Sequence, residues 1–139
     1  MEKNRKEEKI ANAPQYAMME AKKAFLLTTG YSFDGYQIKE YLNIVHGEIC
    51  LGTGFLSEVS LGLNDMFGTA SDKFSEKIAE AKSVAERQLV DNAYIRGANA
   101  IIGVDYDISI IGNNAIMVST NGTAVKIEKI KSGGREVQE

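Results

Sequence analysis

The stretch Gly-Ala-Asn-Ala-Ile-Ile-Gly-Val-Asp-Tyr-Asp at positions 97–107 constrains this chain more than any other. Upstream of it, Phe74, Ile78, Ala81, Ala85, Leu89 and Ala93 recur at three- and four-residue steps. That is the period of a helix with one buried stripe. Gly97 follows, a residue that can take the left-handed conformation closing a helix. Two or three residues later an apolar strand pattern begins. The joint therefore predicts a long helix returning into a strand.

The helix is expected to start near Ser71, a suitable N-cap, with Asp72 adding negative charge to the first turn. Lys82–Glu86 and Arg87–Asp91 are four apart on the polar side and are expected to pair. Arg96 sits in the last turn, where the helix dipole favours a cation. A helix of about 26 residues spans about 39 Å, long for so small a chain.

Ala100–Ile111 and Ala115–Ile127 read as strands. Gly112-Asn113-Asn114 joins them, residues that tolerate positive φ, so a hairpin is expected. Asn121-Gly122 reads as a bulge. Strict alternation puts Ile102, Val104, Tyr106, Ile108 and Ile110 on one face, and Asp105 and Asp107 together on the other. In the second strand both faces are apolar: Met117, Val125 and Ile127 on one, Ile116, Val118 and Ala124 on the other. Helices on one side of a sheet cover one face only. The spare face calls for a second cover, and another copy of the chain is the natural candidate.

Nearer the N-terminus, residues 1–12 read as a solvated tail. Pro14 suits the first turn of a short helix over about 14–24, with Tyr16, Met19 and Lys23 at helical spacing. Phe25–Thr29 is a short strand. Thr29-Gly30 and Asp34-Gly35 are turn signals. Tyr36 to Gly54 is rich in β-branched and aromatic residues and reads as two strand segments, because Gly47 interrupts it with a bulge, a bend or a close backbone approach. Leu56, Val59, Leu63 and Phe67 give a short helix over 56–67, ended by Gly68. Residues 131–139 read as a frayed, polar end.

The 139 residues suffice for one domain with its own core. A net charge of -3 gives no electrostatic case for nucleic acid. One cysteine excludes an intrachain disulfide, and no apolar run approaches a membrane span. The N-terminus mixes charges and has no apolar h-region, so a cytoplasmic setting is the expectation.

Several pieces, in order, carry a family resemblance. They are Gly35-Tyr36, Tyr41 through Val45 with Gly47, Gly52-Thr53, Asp65-x-Phe67-Gly68, the long charged helix, the 97–107 joint, and Met-Val-Ser-Thr-Asn-Gly-Thr-Ala-Val at 117–125. Over about residues 24–128 the chain resembles the YbjQ-like family, whose domains are called "putative heavy-metal-binding". The resemblance implies a two-layer α+β domain, dodecin-subunit-like, with a mainly antiparallel sheet and one long amphipathic helix. It implies assembly as a pentameric ring, sometimes paired into a decamer, and no established reaction. On this reading 1–23 is an N-terminal extension, 24–130 the domain and 131–139 a tail.

Heavy metals of the soft and borderline kind prefer thiolate and imidazole. The chain offers one cysteine, Cys50, and one histidine, His46. Four residues apart in a strand, they stand about 13 Å from each other. They cannot share an ion unless the chain folds sharply at Gly47 or a ring gathers copies. Asp105 and Asp107, about 6.6 Å apart on one face, could hold a hard divalent cation or act as acid and base in an intersubunit cleft. His46, Cys50, Asp105 and Asp107 are thus the candidate metal residues. Gly52-x-Gly54 lacks the rest of a phosphate loop. No nucleophile–base pair is visible. The expectation is a non-enzymatic homo-oligomeric binding or scaffold domain, with an enzyme using Asp105 and Asp107 as the alternative.

Overall fold

The computed structural model describes residues 13–52, 69–112 and 115–131. Helix α1 is Ala13–Lys23 and strand β1 is Leu26–Leu27. Strand β2 is Tyr36–Leu51 and helix α2 is Thr69–Ile95. Strand β3 is Ala100–Ile111 and strand β4 is Ala115–Lys129. The sheet order is β1-β3-β4-β2. β1 runs parallel to β3, and the other pairings are antiparallel. One face of the sheet packs against α2, giving the expected two-layer α+β architecture. The expected helix over 56–67 and the two expected tails, save Lys131 at the start of the second, lie outside the described residues.

The helix-to-strand joint forms as its residues dictate. Gly97 has φ +84°. Its N–H donates to Tyr94 O at 2.9 Å, and Ala98 N–H reaches back to Ala93 O at 3.1 Å. That pair of bonds is a Schellman closure, and Ala93 and Ala98 share the core cluster it brings together. Asn99 then guides the chain into the sheet. Its side chain accepts from Ile127 N–H at 2.8 Å and donates to Ile127 O at 2.9 Å.

The stripe of α2 lies where the period puts it. Ala85, Leu89 and Ala93 are fully buried, and Ile78 and Ala81 nearly so. Burying Leu89 alone contributes roughly 2 kcal/mol. Two features differ from expectation. The helix begins at Thr69, so Ser71 lies within its first turn and not at its N-cap. The charged side chains also choose other partners: Asp91 pairs with Lys22 of α1 at 2.8 Å, and Glu86 accepts the Tyr106 hydroxyl at 2.6 Å. These tertiary contacts replace the two four-residue pairs, each worth only a few tenths of a kcal/mol.

β2 is one strand, not two. From Ile44 to Leu51 it pairs residue for residue with Thr123 to Ile116, straight through Gly47. Its irregularities fall earlier, between Ile38 and Glu40 and between Tyr41 and Ile44, where Asn43 takes φ +81°. Gly47 serves close approach instead. A Cβ there would stand 1.9 Å from Ala85 O and 2.9 Å from Leu89 N.

A bulge does occur at Asn121-Gly122, but the extra residue belongs to the partner strand. Ile102 pairs with Thr123 and Asp105 with Asn121, so Gly103 and Val104 together oppose Gly122. Gly103 has φ +61°, the left-handed geometry of a glycine bulge. The bulge switches faces. Ile102 packs with Ala100, Val125 and Ile127 on one side, while Val104 packs with Ile101 and Ala124 under the helix. The strict alternation that put Ile102 beside Val104 is therefore corrected.

The cover of the second face is corrected too. Its apolar part, Ala100, Ile102, Val125 and Ile127, is packed by the chain's own Phe33, Tyr36 and Ile38. Val125 and Ile127 are already 0% and 5% exposed in a single chain. They leave nothing for a neighbour to shield.

Candidate functional site

Beyond that apolar patch, the face turned away from α2 becomes polar. β4 is the central strand here, and its register fixes what lies side by side. Asn121 lies between Asp105 on β3 and His46 on β2. Ser119 lies between Asp107 and Glu48, and Met117 between Ser109 and Cys50. The intervening residues point the other way: Val118 and Ile116 are buried under α2 with Ile78 and Ala81. All four candidate residues thus share one open face, and all four are exposed.

Sharing a face does not bring them together. The sharp fold at Gly47 that would join His46 to Cys50 is absent, so they keep the extended separation of about 13 Å. His46 and Asp105 are separated by a whole strand, about 10 Å. Among the described residues, no group of three or more His, Cys, Asp and Glu could hold a metal ion. Among the described residues of one chain, no centre of three or four protein ligands, as Zn²⁺ requires, comes together.

The acid–base alternative fares no better. Asp105 and Asp107 lie on the open face and are exposed. The hydroxyl between them in sequence, that of Tyr106, points to the opposite face and donates to Glu86. Partial burial, and then the hydrogen bond and charge of Glu86, push its pKa from 10 to about 12. That favours the neutral phenol and makes it a poor acid. Lys82 lies 5.9 Å from the centre of the same ring. This cluster locks β3 to α2.

The two outer strands differ. Along β2, Glu48 N–H donates to Gln88 Oε1 at 3.0 Å, and His46 O accepts from Asn92 Nδ2 at 2.7 Å. Side chains of α2 thereby satisfy the edge, a usual protection against strand addition. His46 also borders a shallow groove with Ile44, Asn92, Ile95 and Arg96. On the far side, β3 is joined to the β1 segment only through Val104. From Asp105 to Ile111 it has no strand on its outer side among the described residues. That length carries Ile108, Ile110 and Ile111, exposed by 49%, 72% and 43%. Ile108 borders a groove with Phe74, Ile78 and Lys82. Among the described residues, no helix is long and apolar enough to cross a membrane.

Sequence reasoning missed three things here: Met117 as the neighbour of Cys50, the Tyr106–Glu86 bond, and the open edge of β3. The first depends on the β2–β4 register, a pairing of strands far apart in sequence. The other two depend on the bulge and on the short length of β1.

A family model described as "Putative heavy-metal-binding" matches residues 25–128. A protein of Listeria welshimeri, named only as a UPF0145 protein, is 39% identical over 105 residues, which is 74% of this chain and 96% of that one. A UPF0145 protein of Listeria monocytogenes matches to the same extent, and one of Listeria ivanovii is 38% identical. A crystal structure of a protein of unknown function from Pediococcus pentosaceus aligns with a TM-score of 0.38 and 18% identity, covering 75% of this chain and 98% of that chain. None of these names gives a reaction.

Proposed function

This chain belongs to the YbjQ-like family, described as "Putative heavy-metal-binding", and we propose that it works as a cytoplasmic homo-oligomeric ring, pentameric or decameric, that binds or scaffolds and catalyses no reaction. The observation that supports assembly is the outer half of β3. Among the described residues it has no strand on its outer side, and it carries the exposed Ile108, Ile110 and Ile111, the first of which borders a groove with Phe74 and Ile78. Such an edge on a free monomer is a liability that proteins usually blunt, as α2 does for β2. A second copy laid along β3 covers the isoleucines, at about 25 cal/mol per Å² removed from water, and meets the free backbone groups. For a ring, β3 of one copy meets a different surface of the next, since head-to-tail contacts are the ones that close into rings.

The same reading puts ligand binding at subunit boundaries. Since no three of the described His, Cys, Asp and Glu residues converge within one copy, a metal needing three or four donors draws them from more than one copy, with His46, Cys50, Asp105 and Asp107 as the contributors. Light scattering behind size exclusion tests the assembly. At micromolar concentration the mass should be about five or ten times the 15.2 kDa chain, and Ile110→Lys should reduce it to one. A monomeric wild-type protein sinks the proposal, as does a full-sized Ile110→Lys assembly. Elemental analysis and calorimetry with Zn²⁺ and Ni²⁺ test the metal; no bound ion and no heat remove it.

A further inference from the structure

We propose that the thiolate of Cys50 and the thioether of Met117 form a two-donor seat for a soft monovalent cation, Cu(I) or Ag(I), on the open face of the sheet. The two residues are direct partners in the β2–β4 register. Their neighbours on each strand, Ile49 with Val118 and Leu51 with Ile116, pack under α2, so both sulfur side chains stand on the other side. Direct partners have Cβ atoms about 4.5–5.5 Å apart. Methionine's three rotatable bonds let its sulfur adjust around an ion beside the cysteine. Cys50 is free and exposed, and Met117 is half-buried.

The donor count selects the ion. Zn²⁺ takes four ligands, and hard cations take six or more oxygens. No described cluster supplies even three from His, Cys, Asp and Glu. Coinage-metal monocations accept two donors and prefer sulfur. Glu48, two residues from Cys50 on the same face, adds negative charge near the cation. On binding, the thiol gives its proton to solvent and the sulfur lone pair goes to the metal, with no redox change. Both donors belong to one chain, so the seat does not depend on the ring proposed above.

The test is an anaerobic Cu(I) titration of the full chain in competition with bathocuproine disulfonate, with circular dichroism to verify folding. Wild type should bind one Cu(I) per chain. Cys50→Ser should abolish binding, and Met117→Leu should weaken it at least about 10-fold. Met117→Gln gives the same reading should the leucine variant misfold. Met19→Leu, which removes an exposed thioether on α1 far from the seat, should leave the affinity unchanged. The proposal is overturned by a wild-type protein that loses to the chelator throughout, by Met117 variants that bind like wild type, or by equal weakening in Met19→Leu. Mass measured in the same samples separates this outcome from a failure of assembly.

Discussion

Gly47→Ala should be among the most damaging single-methyl additions this fold can receive. The added carbon would lie 1.9 Å from Ala85 O, 2.9 Å from Ala85 C and 2.9 Å from Leu89 N. Real Cβ contacts essentially never fall below 3.0 Å, so helix and strand must separate by about 1.1 Å, the difference between 3.0 and 1.9. The obstructing atoms are helix backbone, which cannot rotate aside like a side chain. A gap of that size forfeits up to about half of each dispersion contact across it. Leu89, Ala85 and Val45, all 0–2% exposed, would lose such contacts. The bonds from Gln88 and Asn92 to the β2 edge would stretch as well. Overpacking usually costs about 1–3 kcal/mol, and this case belongs at or above the upper end, about 3 kcal/mol. For a chain of this length that lowers Tm by roughly 10 °C. Thermal denaturation followed by circular dichroism reads it at fixed protein concentration. Gly52→Ala is the control, since a Cβ at Gly52 meets nothing within 4 Å. A Gly47→Ala protein melting within about 2 °C of wild type would refute the close-approach reading.

Two further substitutions probe the helix–sheet interface. Tyr106→Phe removes the bond to Glu86 and should cost about 1 kcal/mol in urea denaturation, a figure discounted for the partial exposure of the pair. Because the folded phenol's pKa is raised to about 12, its contribution is complete below about pH 10 and is lost as pH climbs through 12. Wild type should therefore lose more stability than Tyr106→Phe across that window, and parallel pH profiles would contradict the assignment. Thr120 is 2% exposed, and its hydroxyl has no partner among the described residues. Thr120→Val, a near-isosteric change, should raise stability by about 1 kcal/mol; a loss of that size would mean the hydroxyl is bonded after all.

Local patterning made much of this molecule legible. The 3.6-residue stripe from Phe74 to Ala93 locates α2 and its buried side, because a helix presents every third or fourth residue whatever it packs on. Gly97 locates its end for a backbone reason that needs no tertiary context. The turn signal in Gly112-Asn113-Asn114 predicts the antiparallel β3–β4 pair, and strand alternation places Asp105 and Asp107 on one face. The candidates His46, Cys50, Asp105 and Asp107 all lie on one exposed face of the sheet. Their lack of convergence was foreseeable from the strand rise alone, once Gly47 proves to be straight.

What the chain could not announce is where alternation breaks. One inserted residue at Gly103–Val104 moves Ile102 from one side of the sheet to the other, since side-chain direction in a strand has period two. Phe33, in the segment between β1 and β2, packs on the apolar part of the second face, which decides that Val125 and Ile127 need no neighbour. Periodicity and end-capping are properties of a segment and can be read from its residues. Bulges, strand order and which edge stays open arise from contacts between segments distant in sequence, so only the packed molecule reveals them.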